Sequence, residues 1–178
     1  DAGASVGDVD AAWFSNTRQP MLEGQNTVRG QIALRPLGFE SVPVVNIENA
    51  CASGSSALIQ AMAHLRAGMA DIALVVGAEK MVFPDRPEAM AAAFEGGTDI
   101  HDMEATKAFV RSLGGDADDE SAGKRSIFMD LYAAQARAHM DRFGTTQEDF
   151  AAIAAKNHTH AKHNPLAQYR EPMSIEEV

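Results

Sequence analysis

At 178 residues the chain has the length of about one domain, and 46% hydrophobic against 22% charged residues excludes wholesale disorder. Lysine and arginine total 15 against 25 aspartate and glutamate, a formal charge of -10. No basic run stands in the sequence to neutralise phosphates, which excludes a nucleic-acid binder; an anionic ligand would need a local cluster of arginines, lysines or helix N-termini to overcome the field.

Residues 1–10 enter in the middle of a pattern, with no strand before them to found a sheet, so the first strand of the core is expected to be missing. Residues 42–48 (VPVVNIE) are β-branched and bounded by turn formers, which predicts a strand. Residues 71–77 (DIALVVG) predict a second, its apolar run too continuous for a surface strand and typical of a parallel sheet covered on both faces. Between them, Ala57, Leu58, Ala61, Met62 and Leu65 recur at helical spacing over residues 53–67, and Gly68 can end the helix. Strand, helix and strand in this order predict a βαβ unit with a right-handed crossover, the turn after residues 42–48 following a central strand. The first turns of the helix carry only small residues, Ala52 to Ala57. Small residues admit close neighbours, so this helix is expected to be buried nearly all round.

From Phe83 to Arg125 the periodicity weakens. Pro84, Pro87, the pairs Gly96-Gly97 and Gly114-Gly115, and the acidic cluster Asp116, Asp118, Asp119 and Glu120 predict a long insertion, the acidic run being a solvated loop. Order returns at Ser126, with Ile127, Leu131, Ala134 and Ala138 on one helical face that ends near Gly144. Thr145 with Glu148 reads as a capping box, opening a helix to about Lys156 that turns Phe150, Ile153 and Ala154 inward. The expected organisation is a core over residues 1–82, an excursion with helices over 83–170 that contributes no strand to the sheet, and a return towards the core over 171–178.

The chemistry concentrates in Asn49-Ala50-Cys51-Ala52-Ser53-Gly54-Ser55. Here a cysteine sits where a buried strand turns into a helix. The N–H groups of a first helical turn are unpaired and carry partial positive charge, which stabilises a thiolate and raises its nucleophilic fraction. Such a turn projects its side chain from the carboxyl edge of a parallel sheet, where ligands bind, and the small neighbours leave room for a substrate carbonyl. Position alone leaves a second reading open, since free cysteine is among the most buried residue types and Cys51 would then be core.

Residues 44–58 (VVNIENACASGSSAL) closely resemble the nucleophile loop of the thiolase superfamily, and Gly77-Ala78-Glu79-Lys80-Met81 is similar to that family's next strand and its exit. Residues 132–169, with Phe143-Gly144-Thr145-Thr146 and Lys156-Asn157-His158, resemble the sterol-carrier-protein-x type of thiolase and its lipid-transfer relatives. The resemblance implies an α/β fold of five layers, α/β/α/β/α, of which this chain supplies most of the N-terminal half. It implies that Cys51 is the acyl-accepting residue, that coenzyme A or its acyl esters are substrates, and that no cofactor is held tightly. It also implies a homodimer or tetramer, and residues 42–48 carry no inward lysine or mid-strand proline to protect a strand edge.

The family's other catalytic groups, a Gly-His-Pro-like loop and a Cys-x-Gly loop, have no match among these residues, so the chain by itself is expected not to turn over. Met129 lies where resembling thiolases place a methionine against the acyl group; core packing beside Phe128 is the alternative. His158, His160 and His163 form H-x-H-x-x-H, but no carboxylate or cysteine stands near them, so they read as a solvated helix end and not as a metal site. One cysteine rules out an intramolecular disulfide and suits a reducing compartment. No charged-then-apolar leader opens the chain and no apolar run approaches the roughly 20 residues of a membrane span, so a cytoplasmic protein is expected. Two other enzyme readings remain, a ketoacyl-synthase-like condensing enzyme and a lipid-transfer-type carbon–carbon lyase. A non-catalytic binding protein on the same fold is the third alternative, although a scaffold has no need of a thiol at a helix N-terminus.

Overall fold

Three short strands, all parallel, carry the part of the molecule that matters here. The structure, a computed structural model, describes residues 3–115 and 127–178. Strand β1 spans Ala11–Ser15, β2 Val44–Ile47 and β3 Ala73–Gly77, in the spatial order β2-β1-β3. Ala12 lies opposite Val44 on one side, and Ala11 opposite Ala73 on the other. Helices α1 (Gln19–Glu23), α2 (Arg29–Leu34) and α3 (Ser53–Arg66) belong to the same part of the chain.

The alternation of side chains along a strand divides the sheet into two faces. Ala11, Trp13 and Ile47 join Ala57 and Ala61 of α3 in one core cluster, with Ala73 and Val75 packed against it. On the opposite face α2 comes so close that a Cβ on Gly30 would lie 2.6 Å from Phe14 Cβ and 2.8 Å from Val44 Cγ1. Only a residue without a side chain lets the helix approach this near. Asn46 seals that contact, its Oδ1 accepting the Gly30 N–H at 2.7 Å and its Nδ2 donating to Gln31 Oε1 at 2.7 Å.

One strand goes unforeseen, and one expectation is corrected. The sheet has its middle strand at Ala11–Ser15, which the pattern of the sequence did not reveal. All five residues of β1 are buried, so the strand shows no polar and apolar alternation to read. As a consequence β2 is an edge strand of this sheet and not its centre. In this chain by itself α3 buries Ser53, Ala57 and Ala61 against the sheet, while Leu58, Ile59, Met62 and Leu65 are exposed. Small residues permit burial, but a second covering layer is needed to produce it.

The chain divides into two compact units, Asp1–Ile100 and His101–Val178. The stretch from 83 to 100 therefore belongs with the sheet, its helix α4 (Glu88–Glu95) packing on α1. In the second unit are α5 (Met103–Ser112), α6 (Ile127–Phe143) and α7 (Gln147–Ala161). Among the described residues from 83 to 169 there are helices and no strand. Val110 of α5 and Ala134 of α6 are fully buried there. The acidic run Asp116 to Glu120 and Ser126 lie outside the described residues. Helix α6 places Leu131, Ala134 and Ala138 inward, as the spacing predicts, and ends at Gly144, whose φ of +71° is left-handed. The start of α7 shifts by one residue. Thr146 is the N-cap, its hydroxyl accepting the Asp149 N–H at 3.2 Å while the Asp149 carboxylate accepts the Thr146 N–H at 2.8 Å. The buried face moves with it to Ala151 and Ala155, leaving Phe150 and Ile153 exposed, and the helix runs to Ala161.

Candidate functional site

Strand β2 ends at Ile47, and two residues later the backbone turns sharply into α3. Ala50, Cys51 and Ala52 form a single 3-10 turn that leads directly into the helix. Ala50 has a φ of +44°, a left-handed conformation that is disfavoured for a residue bearing a Cβ. The turn places the Cys51 thiol at the N-terminal end of a 14-residue helix, as the sequence predicts, and the thiol is exposed. The reading of Cys51 as an inert core residue is thereby corrected.

Several polar groups hold this turn. The Ser53 hydroxyl accepts the Asn49 N–H at 2.8 Å and donates to the Ala50 carbonyl at 2.7 Å. Glu48 Oε1 accepts the Ala50 N–H at 2.7 Å, and Asn49 Nδ2 donates to Ser56 Oγ at 2.9 Å. From the carboxyl end of β1, Thr17 Oγ1 lies 3.2 Å from the Ala50 carbonyl oxygen and 3.1 Å from Ser53 Oγ. Thr17 is itself held from β3, because the Glu79 carboxylate accepts the backbone N–H groups of Thr17 and Arg18. Asn16 completes the tie, donating from Nδ2 to the Ala78 carbonyl at 2.7 Å. The carboxyl ends of all three strands thus meet at one place.

Between these ends a cleft of about 460 Å³ opens, lined by Thr17, Cys51, Gly54, Gly77, Met81 and Phe94 among others. The small residues Ala50, Gly54, Gly77 and Ala78 are also part of its lining. Arg18 and Glu79 are its charged lining residues. Arg18 is buried, donates from Nη1 to the Ala93 carbonyl near the end of α4, and lies 5.3 Å over the Phe94 ring. Arg29, also buried, donates to Asn16 Oδ1 at 3.3 Å. Arg29 is not part of the cleft lining and reaches it only through Asn16.

The sequence reading did not single out Asn16, Thr17 and Arg18. The signal that points to them is positional, for they follow the apolar run Ala11–Ser15, and residues just beyond the carboxyl end of a parallel strand face the ligand site. Met129 belongs to the second unit, where it is 61% exposed on α6, so it is not packed as core beside Phe128. The three histidines lie at the end of α7; His158 Nδ1 is 3.1 Å from the Glu171 carbonyl oxygen, and His160 and His163 are exposed. Among the described residues no group of three histidine, cysteine or acidic side chains is arranged to hold a metal.

Fold and site together define a class: an α/β domain that presents one thiol from a strained strand-to-helix turn at the carboxyl edge of a parallel sheet. The family profile described as thiolase, N-terminal domain, matches residues 1–177. This chain belongs to the thiolase family and has the fold of its N-terminal domain. It is 31% identical to an acetyl-CoA acetyltransferase of Methanothermobacter thermautotrophicus over 179 residues, covering 100% of this chain and 41% of that protein. It is 29% identical to sterol carrier protein 2 of Gallus gallus over 178 residues, 100% of this chain and 29% of the relative. Against the benzoylsuccinyl-CoA thiolase subunit BbsB of Thauera aromatica it is 33% identical over 171 residues, 96% of this chain and 37% of the relative. The chain therefore spans less than half the length of the curated relatives it matches.

Proposed function

We propose that the complete protein is an acyl-CoA acyltransferase that works through a cysteine-bound acyl group. The Cys51 thiolate attacks the carbonyl carbon of an acyl-CoA or 3-ketoacyl-CoA. With an acyl-CoA the C–S bond to coenzyme A breaks, and the thiol of coenzyme A leaves. With a 3-ketoacyl-CoA attack falls on the 3-keto carbon, a C–C bond breaks, and the departing carbanion takes a proton to become a shorter acyl-CoA. In either case the acyl group is left as a thioester on Cys51, which coenzyme A or a carbanion then resolves. Dividing the transfer this way replaces one difficult step with two easier ones. The observation that carries the reading is the exposed Cys51 thiol at the head of α3, on the strained Ala50 turn, open to the cleft. The Arg18 guanidinium in the cleft lining and the names of the acetyl-CoA acetyltransferase and thiolase relatives support it.

On this reading coenzyme A is a substrate and not a resident cofactor, and Met129 contacts the acyl group. The protein works in the cytoplasm, where an exposed free thiol stays reduced. No described helix is long and apolar enough to cross a membrane. A second reading, a non-catalytic binding protein on the same fold, is favoured by the name of the sterol carrier protein 2 relative.

The test is to incubate the complete protein with radiolabelled acetyl-CoA, digest it, and locate the label by mass spectrometry. Label is expected on the peptide containing Cys51 and is lost in Cys51→Ser, with acyl transfer falling by about 10³-fold or more. Label absent from the wild-type thiol, or retained in Cys51→Ser, overturns the reading.

A further inference from the structure

The turn that presents Cys51 is unfavourable locally and is held from a distance. Ala50 sits at a φ of +44°, so its carbonyl takes a direction the chain does not choose unaided. Two hydroxyls engage that carbonyl region. Ser53 donates to it from within the turn at 2.7 Å, and Thr17 stands 3.2 Å away at the end of a different strand. Thr17 has one hydroxyl proton, which goes to the Ala50 oxygen or to Ser53 Oγ at 3.1 Å; either bond joins β1 to the cysteine turn. Thr17 cannot drift, because its backbone N–H is bound to the Glu79 carboxylate beyond β3, which also holds the Arg18 N–H at 3.1 Å.

We propose that Thr17 is a positioning residue for Cys51, its hydroxyl holding the left-handed Ala50 turn while Glu79 holds Thr17. The proposal rests on Cys51 being the acyl-accepting group and deepens that reading. Thr17 itself takes no proton from the thiol and forms no bond to the acyl group. Its contribution is geometric: a turn held from β1 keeps the sulfur at the helix N-terminus and open to the cleft, and small misplacements of a reacting atom cost rate steeply. A valine at 17 has nearly the same shape as threonine and lacks only the hydrogen bond, whereas a serine keeps it.

The test measures the second-order rate of Cys51 alkylation by iodoacetamide in this chain, with thermal midpoints recorded for every variant. Thr17→Val is expected to alkylate about fivefold more slowly than wild type, as the loss of one hydrogen bond predicts, and Thr17→Ser to recover most of the rate. Glu79→Gln keeps the hydroxyl and weakens only its anchor, so about a twofold loss is expected; it also decides the matter should Thr17→Val fail to fold. Gly30→Ala, on the opposite face of the sheet, lowers the thermal midpoint without slowing alkylation, which separates positioning from general loss of stability. Thr17→Val reacting at the wild-type rate, Thr17→Ser failing to rescue it, or, with Thr17→Val unfolded, Glu79→Gln at the wild-type rate, overturns the proposal. A wild-type thiol that alkylates but takes no acetyl group in the complete protein overturns acyl transfer instead, and leaves the brace to be judged by the alkylation rates.

Discussion

Asp10 shows how one exposed side chain ties two strands together. Its Oδ2 accepts the N–H groups of Asp71 at 2.8 Å and Ile72 at 3.0 Å, joining the entrance of β1 to that of β3. The bond from Ile72, and after it the bond from Asp71, hold the Asp10 carboxyl below the usual aspartate range. A carboxyl lowered on folding stabilises the protein above the ordinary aspartate range, and that stabilisation is lost as pH falls through the lowered value. Asp10→Asn is therefore expected to lower the thermal midpoint at neutral pH by roughly 2 °C, with the gap closing as the pH falls below the ordinary aspartate range. Midpoints measured across that range check it; a gap of constant size at all pH values contradicts it. The place of Cys51 at the head of the helix was legible at this scale, because its neighbours in sequence are also its neighbours in the turn. Thr17 was not, being 33 residues away from the carbonyl it reaches.

The elements differ in how openly they announce themselves. Helix α3 begins at Ser53 as its small-residue start and apolar spacing predict, and β3 ends at Gly77 as read. Helix α7 illustrates a near miss. Thr145 with Glu148 and Thr146 with Asp149 satisfy the same capping rule one residue apart, and packing of Ala151 and Ala155 selects the second pair. Helix α2 is held by proximity to the sheet. The 2.6 Å and 2.8 Å approaches at Gly30 predict that Gly30→Ala, normally favourable in a helix, destabilises the chain by about 1–3 kcal/mol here. Chemical denaturation measures this directly, and a stability equal to or above wild type would show that α2 shifts outward without cost.

For the whole molecule the open questions of surface are the edge of β2 and the outer side of α3. Among the described residues β2 pairs only with β1, so its other edge has no partner. Leu58, Ile59, Met62 and Leu65 expose an apolar stripe on α3, with Ile59 at 67%. A two-fold contact along β2 would bring two copies of the strand together and support both Cys51 turns. The complete protein is accordingly expected to be a homodimer with residues 44–49 at or beside the interface. Light scattering checks this, and a strictly monomeric mass at micromolar concentration refutes it. This 178-residue chain alone is expected to associate as its concentration rises, through the exposed side of α3.

What the sequence determined by itself is local. Strand β2, the small-residue turn with Cys51, α3, β3 and the inward face of α6 follow from periodicity, turn chemistry and caps, each decided by residues within a few positions of one another. What only the tertiary structure decided is which distant pieces meet. The fully buried AAWFS gives no period to read, yet it pairs with both β2 and β3 and becomes the middle of the sheet. That pairing delivers Asn16, Thr17 and Arg18 to the cysteine turn and brings Glu79 across 62 residues to hold them. It also sustains the left-handed Ala50, a conformation no alanine prefers on its own. Long-range strand pairing is an energetic choice among many registers, and a sequence pattern records the outcome only where one face is left polar.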